Sequence, residues 1–170
     1  MNWNDIPNFP DVSYAFDESW EHLESWLEAR KDIGIILDPE YQRGYVWTRE
    51  QKIAYLEYRL QGGISGGDLF WNSPGWRGRG KTQPISIVDG KQRLLTVREF
   101  MRGELPVFGR TFNEFEGIFP WSDRRVSFRI HINNLLDEQD VIRWYLSMNT
   151  GGSIHTREEL DRVEELLVKP

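Results

Sequence analysis

The sequence predicts an α+β fold, because strand-like and helix-like hydrophobic patterns are interspersed along a chain of 170 residues. Residues 84–88 form a short apolar run, and residues 127–133 alternate apolar and polar positions like a strand with one buried face. Residues 17–31 instead place Trp20, Leu23 and Leu27 on one face of a helix. A chain of this length can bury a sizeable core without disulfides.

Each element is predicted from a local signal. The helix over 17–31 has Asp17 or Ser19 as its cap, and residues 34–37 form a short strand before a turn. A capping box from Thr48 to Gln51 opens a helix that ends near residue 61. A short strand 69–71 is expected inside the glycine-rich loop 62–84, and a second strand covers 84–88. A helix over 91–102 ends at Gly103, and the strand 127–133 follows it. The last two elements are a helix capped by Asp137 and a terminal helix opened by a second capping box at Thr156.

We expect a single domain over residues 1–170, since no repeat, low-complexity tract or linker divides the chain. Residues 1–32 are an acidic, aromatic-rich segment with the first helix, residues 33–160 form the core that carries the motifs, and residues 156–170 form the terminal helix.

Composition excludes several classes of protein. The chain has no cysteine, which excludes disulfides, thiolate metal sites and a cysteine nucleophile. No apolar run approaches the length of a membrane helix, and the N-terminus lacks the features of a signal peptide. We therefore expect a cytoplasmic protein with no membrane contact. Its 8 Trp, 9 Phe and 6 Tyr are unusually many, and Trp20, Trp47 and Trp144 are interpreted as core residues, with a binding platform as the alternative.

Charge is distributed unevenly along the chain, whose formal net charge is −6. Residues 1–40 carry ten acidic and two basic side chains, whereas residues 77–110 carry eight basic and three acidic ones. A local basic cluster can hold an anion although the whole molecule is acidic. The alternative is that the two blocks are solvated faces that pair with each other.

The segment from Asp89 to Arg93 is the strongest candidate for chemistry. It joins a strand to a helix, whose first amide groups and dipole can bind an anion, and Gly90 allows close approach of the backbone. The cationic side chains of Lys91 and Arg93 can donate hydrogen bonds to phosphate oxygens, and Asp89 could hold Mg²⁺ against a polyphosphate. The alternative is that Asp89 only caps the helix and Arg93 pairs with a surface acid.

Three ordered motifs resemble the DUF262 family. Residues 89–96, Asp-Gly-Lys-Gln-Arg-Leu-Leu-Thr, are similar to its Asp-Gly-Gln-Gln-Arg signature. Residues 39–47 resemble the first motif of the family with a Gln-Arg pair and a Trp, and residues 148–152 resemble an Asn-Thr-Gly-Gly turn. The family includes the N-terminal domains of GmrSD-type restriction enzymes and of SspE-like defence proteins. The resemblance implies a ParB/sulfiredoxin-like fold, a small mixed sheet with surrounding helices.

The resemblance also implies a nucleoside triphosphate site with Mg²⁺. Asp89 would hold the metal or orient water, and Arg93 would act with it in catalysis. The nucleotide contacts carried over by position are Gln42, Arg43, Gly90, Lys91, Gln92, Arg93, Asn149 and Gly151. Lys91 replaces the more usual Gln, which adds positive charge and leaves the nucleotide preference open.

Restriction members of the family continue into an HNH nuclease domain, and none is expected here. The three histidines, His22, His131 and His155, form no such metal site, and each of the last two is either structural or a catalytic base. Arg77, Arg79 and Lys81 lie near tryptophans in a glycine-rich loop, which could bind nucleic acid, cover a nucleotide or be solvated. The acidic N-terminal segment could contact a protein partner.

Two functions follow from these features. The first is Mg²⁺-dependent binding or hydrolysis of a nucleoside triphosphate, linked to DNA or to phage and defence biology. The second is a non-catalytic phage or defence module that binds a host protein or nucleic acid. They differ in whether a product forms.

Overall fold

The computed structural model describes residues 14–76, 83–117, 119–120, 123–149 and 157–167. Its strands form one five-stranded sheet in the order β1-β5-β3-β4-β2. The strands are β1 (Tyr14–Ser19), β2 (Ile35–Ile36), β3 (Asp68–Asn72), β4 (Ile85–Asp89) and β5 (Ser127–Asn133). β1 pairs antiparallel with β5 and β3 antiparallel with β4, while β3 with β5 and β2 with β4 are parallel. The fold is therefore α+β with a mixed sheet, as predicted.

Helices cover both faces of the sheet. They are α1 (Leu23–Glu28), α2 (Arg49–Leu60), α3 (Lys91–Met101), α4 (Glu138–Asn149) and α5 (Arg157–Leu166). Apolar residues of α1, α2 and α3 pack with Leu69, Trp71 and Ile87 in the larger cluster. Residues of α4 and α5 pack with Val88 and Phe70 in the smaller one. Side chains of successive strand residues point to opposite faces, so β3 contributes to both clusters.

The first predicted helix is wrong over its first residues. Residues 14–19 form β1, a short 3-10 turn follows at Trp20–His22, and α1 covers only Leu23–Glu28. Ser19 caps the 3-10 turn by accepting a hydrogen bond from the Glu21 amide. Strand pairing with β5 satisfies the backbone of residues 14–19, and this long-range gain outweighs a local helical pattern.

The other local signals give the observed elements to within a few residues. Thr48 and Gln51 form the predicted capping box at the start of α2. Asp137 accepts a hydrogen bond from the Gln139 amide at the start of α4. The short strand expected inside the loop 62–84 is β3, which lies at the centre of the sheet. Thr156 lies outside the described residues. No helix in the described parts of the chain is long and apolar enough to cross a membrane.

A β-bulge lies where β4 reaches α3. Phe70 of β3 pairs with Asp89 while the next residue, Trp71, pairs with Ile87, so Val88 is an extra residue on β4. Such bulges re-aim the side chains that follow them and are common beside functional sites. The bulge places Asp89 and Gly90 at the end of the sheet, directly before the first turn of α3.

Candidate functional site

A cavity of about 860 Å³ opens at this end of the sheet. It lies between the first turns of α2 and α3, the segment that precedes α2, and the last turn of α4. The described residues that line it are Gln42, Arg43, Val46, Trp47, Thr48, Gln51, Asp89, Gly90, Lys91, Gln92, Arg93, Tyr145, Met148 and Asn149. All three motifs of the sequence therefore reach one cavity.

The N-terminus of α3 forms one wall of the cavity. Gly90 is its N-cap, with a φ of 101°, and a glycine provides no side chain to cap the first turn. A Cβ on Gly90 would collide with the Leu69 side chain, so glycine is needed both for the backbone angle and for space. Asp89 is therefore not the cap of this helix. The first amide groups of a helix without a cap are donors that suit an anion.

The N-terminus of α2 forms a second wall. Thr48 accepts a hydrogen bond from the Gln51 amide at 3.3 Å, and the Gln51 side chain accepts one from the Thr48 amide at 2.9 Å. Both α2 and α3 thus direct the positive ends of their dipoles at the same cavity. Two such ends favour negative charge between them.

Asp89 and Arg93 form an ion pair at the N-terminus of α3. Arg93 Nη2 lies 2.7 Å from Asp89 Oδ2 and donates a hydrogen bond to it. The Arg93 side chain is 22% exposed and that of Asp89 is 36% exposed. Within the described parts of the chain, the buried Arg93 Nε has no hydrogen-bond partner. The sequence also allows Arg93 to pair with a surface acid. In the structure Arg93 pairs with Asp89.

Lys91 lines the cavity but its ammonium group is engaged within the protein. The side chain is buried, and Nζ donates to the carboxylate of Asp38 and, at 2.8 Å, to the carbonyl oxygen of Arg43. Lys91 therefore ties the first motif to α3. Its role as a nucleotide contact stays a prediction, and the geometry gives it a structural task as well.

Gln92 and Gln42 are also engaged with the backbone. Gln92 Oε1 accepts hydrogen bonds from the amides of Val46 and Trp47 at 3.0 and 3.1 Å, and Nε2 donates to the Gly44 carbonyl at 2.8 Å. Gln42 is buried, and its Nε2 donates to the carbonyls of Ile87 and Val88 at 2.7 and 2.8 Å. Both glutamines hold the segment 42–47 against the sheet and α3.

Arg43 and Asn149 reach the cavity from different elements. Arg43 is half-buried on the segment before α2. Asn149 ends α4, and its Nδ2 donates to the Tyr145 carbonyl at 2.7 Å. The predicted contacts at Gly151, Arg77, Arg79 and Lys81 lie outside the described residues, as do residues 1–13 of the acidic N-terminal segment.

Several lining residues were not predicted as site residues. Trp47 is expected in the core, but its half-buried ring lies on the cavity wall in edge-on contact with Tyr55. Trp20 and Trp144 are buried, as expected. Thr48 and Gln51 could have been predicted as site residues, because their capping box directly follows the first motif.

Tyr145 is buried beside Tyr41, whose pKa is raised to about 12 by burial.

His131 does not line this cavity. Its Nε2 lies 2.7 Å from Asp68 Oδ1, and its ring stacks on Phe70 at 4.6 Å between centroids. The contacts of His131 are thus those of a structural residue of the sheet. His155, the other candidate, lies outside the described residues.

Comparison with protein families gives one match. The family described as the N-terminal domain of GmrSD restriction endonucleases matches over residues 23–143, more than half of the chain. The chain belongs to the GmrSD N-terminal domain family. The matched region of this family contains the first two motifs and all of α2 and α3. Comparison with curated proteins and with solved structures gives no significant match, so a ParB/sulfiredoxin-like fold stays a prediction.

The donor set of this GmrSD-family cavity limits how a metal ion could bind. Asp89 is the one acidic side chain among the described lining residues. The described residues also contain no cluster of three or more His, Cys, Asp or Glu that could hold a metal by themselves. Mg²⁺ commonly binds through one or two carboxylates together with substrate phosphates. The cavity therefore fits Mg²⁺ that arrives with a polyphosphate.

Proposed function

We propose that this domain binds a nucleoside triphosphate together with Mg²⁺ in the cavity between α2 and α3. The observation that carries the proposal is the convergence of two helix N-termini with Arg43 and Arg93 on one cavity. Amide donors, helix dipoles and guanidinium groups each favour phosphate. Together they suit a compact polyanion better than a single small anion.

In this proposal each side chain of the cavity makes a different contact with the ligand. Arg93 would contact phosphate oxygens beside the first amide groups of α3, which Gly90 leaves open. Arg43 would contribute a second guanidinium from the segment that precedes α2. Asp89 would hold Mg²⁺, which when bound supplies positive charge on the phosphates.

The ion pair between Asp89 and Arg93 makes the metal important for binding. Without the metal, the Asp89 carboxylate would repel a phosphate and would keep Arg93 engaged at 2.7 Å. With Asp89 engaged on Mg²⁺, Arg93 would be released to donate hydrogen bonds to the phosphate oxygens. We therefore expect triphosphate to bind more tightly with Mg²⁺ than with EDTA.

Binding without hydrolysis is the second candidate, and one observation favours it. Among the described lining residues, no carboxylate or histidine other than Asp89 is present to orient water, and Asp89 is paired with Arg93. The two candidates share the cavity and differ only in turnover.

Release of phosphate from ATP and GTP separates the two candidates. If the domain is a hydrolase, the wild type releases phosphate with Mg²⁺, and Asp89→Ala lowers the rate at least about 100-fold, as for loss of a group that acts in the transition state. If wild type and Asp89→Ala both bind nucleotide and neither releases phosphate above the rate without protein, the domain is a binding module. Absence of nucleotide binding by the wild type contradicts both.

The family suggests where such a domain works. The family is named for the N-terminal domain of restriction endonucleases, so we propose that this chain acts in restriction and defence against foreign DNA, with DNA as an expected partner. A contact with a host protein through the acidic N-terminal segment belongs to the same proposal. In this role, nucleotide binding would control the action of the system on DNA.

A further inference from the structure

We propose that Gln92 is a positioning residue, whose carboxamide fixes the first motif and the N-terminus of α2 against α3. This inference rests on the proposed function, because the cavity that Gln92 organises is the proposed nucleotide site. It differs from the role that the family resemblance implies, which is direct contact between Gln92 and phosphate.

The hydrogen bonds of Gln92 carry the inference. Oε1 accepts two of them, from the amides of Val46 and Trp47, and so both of its lone pairs are used. Nε2 donates a third to the carbonyl of Gly44. All three partners belong to the four residues that precede Thr48, the N-cap of α2. A side chain of α3 therefore holds the segment that leads into the N-terminus of the preceding helix, α2.

Neighbouring contacts act on the same segment. Lys91 donates to the carbonyl of Arg43 at 2.8 Å, and Gln42 donates to two carbonyls of β4. The backbone that carries the Arg43 side chain is thus held directly on both sides. Because a displacement of about 1 Å in a site can cost much of its function, removal of the Gln92 bonds would weaken anion binding through Arg43.

Hydrogen exchange in the protein without ligand tests the contact itself. In Gln92→Met, which keeps the volume and removes all three bonds, we expect the amides of Val46 and Trp47 to exchange at least tenfold faster. Gln92→Glu keeps an acceptor for both amides and should retain most of their protection. Gln139→Met is the matched control, since Gln139 donates to Leu166 in another part of the molecule. Equal protection of both amides in Gln92→Met and in the wild type overturns the proposal.

A double-mutant cycle then separates positioning from direct contact. Affinity for inorganic triphosphate with Mg²⁺ is measured for Gln92→Met, Arg43→Ala and the double variant. If Gln92 acts through the segment of Arg43, the loss in the double variant is clearly smaller than the product of the two single losses. If the losses multiply, Gln92 does not act through the segment of Arg43 and the proposal is wrong. Failure of the wild type to bind triphosphate would contradict the proposed function, while the exchange experiment still decides the role of Gln92.

Discussion

Gly90 shows how one residue meets two independent requirements of the fold. Its φ of 101° lies in the left-handed region, which residues with a Cβ adopt at a cost of about 1–2 kcal/mol. A Cβ there would also collide with Leu69, a fully buried residue of β3. The glycine that the family motif contains is therefore explained by the turn from β4 into α3, before any ligand is considered.

We predict that Gly90→Ala lowers the free energy of unfolding by at least about 2 kcal/mol, since it adds an overpacked contact to the cost of the positive φ. Urea denaturation measures the change. Gly109→Ala is the matched control, because Gly109 has a φ of 73° but open space around its Cβ position. The control should lose only about 1 kcal/mol. Equal losses in the two variants would contradict a steric role for Leu69.

The sequence does not predict the roles of residues whose hydrogen-bond partners lie far away in the chain. Lys91 and Gln92 stand in a motif that predicts phosphate contact, yet their polar groups meet residues 38–47, more than forty positions earlier. Local spacing predicts that α3 begins near residue 91, because Gly90 and the preceding strand are local signals. It cannot show which loop will pack against the first turn.

Among the elements, α1 and α3 are joined by a small charge network. Glu24 of α1 accepts two hydrogen bonds from Arg98, at 2.6 and 3.1 Å, and a third from Arg102 at 3.1 Å. Hydrogen bonding to Arg98, aided by both positive charges, holds the pKa of Glu24 below its ordinary value of 4.5 although partial burial opposes this. The network fixes α3, and hence the cavity wall, to the first helix.

We predict that Glu24→Gln lowers stability by about 0.5–1 kcal/mol at pH 7, the usual range for a half-exposed pair of this kind. A carboxyl whose pKa is lowered in the fold contributes stability above pH 4.5, and this contribution is lost as the pH falls through the lower folded value. The difference in urea denaturation between wild type and variant should therefore be present at pH 7 and shrink as the pH falls below 4.5.

The control in the same helix is Glu28→Gln, because Glu28 and its partner Lys31 are both largely exposed. It should change stability by less than about 0.5 kcal/mol. A constant difference between wild type and Glu24→Gln from pH 7 to pH 3 would show that the network does not act through the charge of Glu24.

Sequence signals predicted most elements because their capping residues and periodicities are local. The exception at this scale is β1, where Tyr14 and Phe16 lie on one side of a strand and stack at 5.8 Å. Residues 17–19 match a helical pattern as well as a strand, and only the presence of β5 decides between them. The bulge at Val88 was likewise beyond prediction, because it depends on the register between β3 and β4.

At the scale of the whole molecule, the acidic and basic blocks of the sequence pair in part with each other. Glu24 and Asp38 of the acidic block bind Arg98, Arg102 and Lys91 of the basic one. The alternative interpretation of the charge pattern is thus realised at these five residues. What distinguishes the cavity is not net charge but geometry, since the N-termini of α2 and α3 meet there.

The central claim is that this geometry serves a triphosphate, and thermal unfolding with ATP or GTP and Mg²⁺ tests it most directly. A ligand at 100 times its Kd stabilises the wild type by about 2.7 kcal/mol, which raises Tm by several degrees. We predict that Arg93→Ala abolishes this rise, and that Arg129→Ala, which removes a surface pair with Asp17, preserves it. Equal rises in Tm for the wild type and Arg93→Ala would contradict the account.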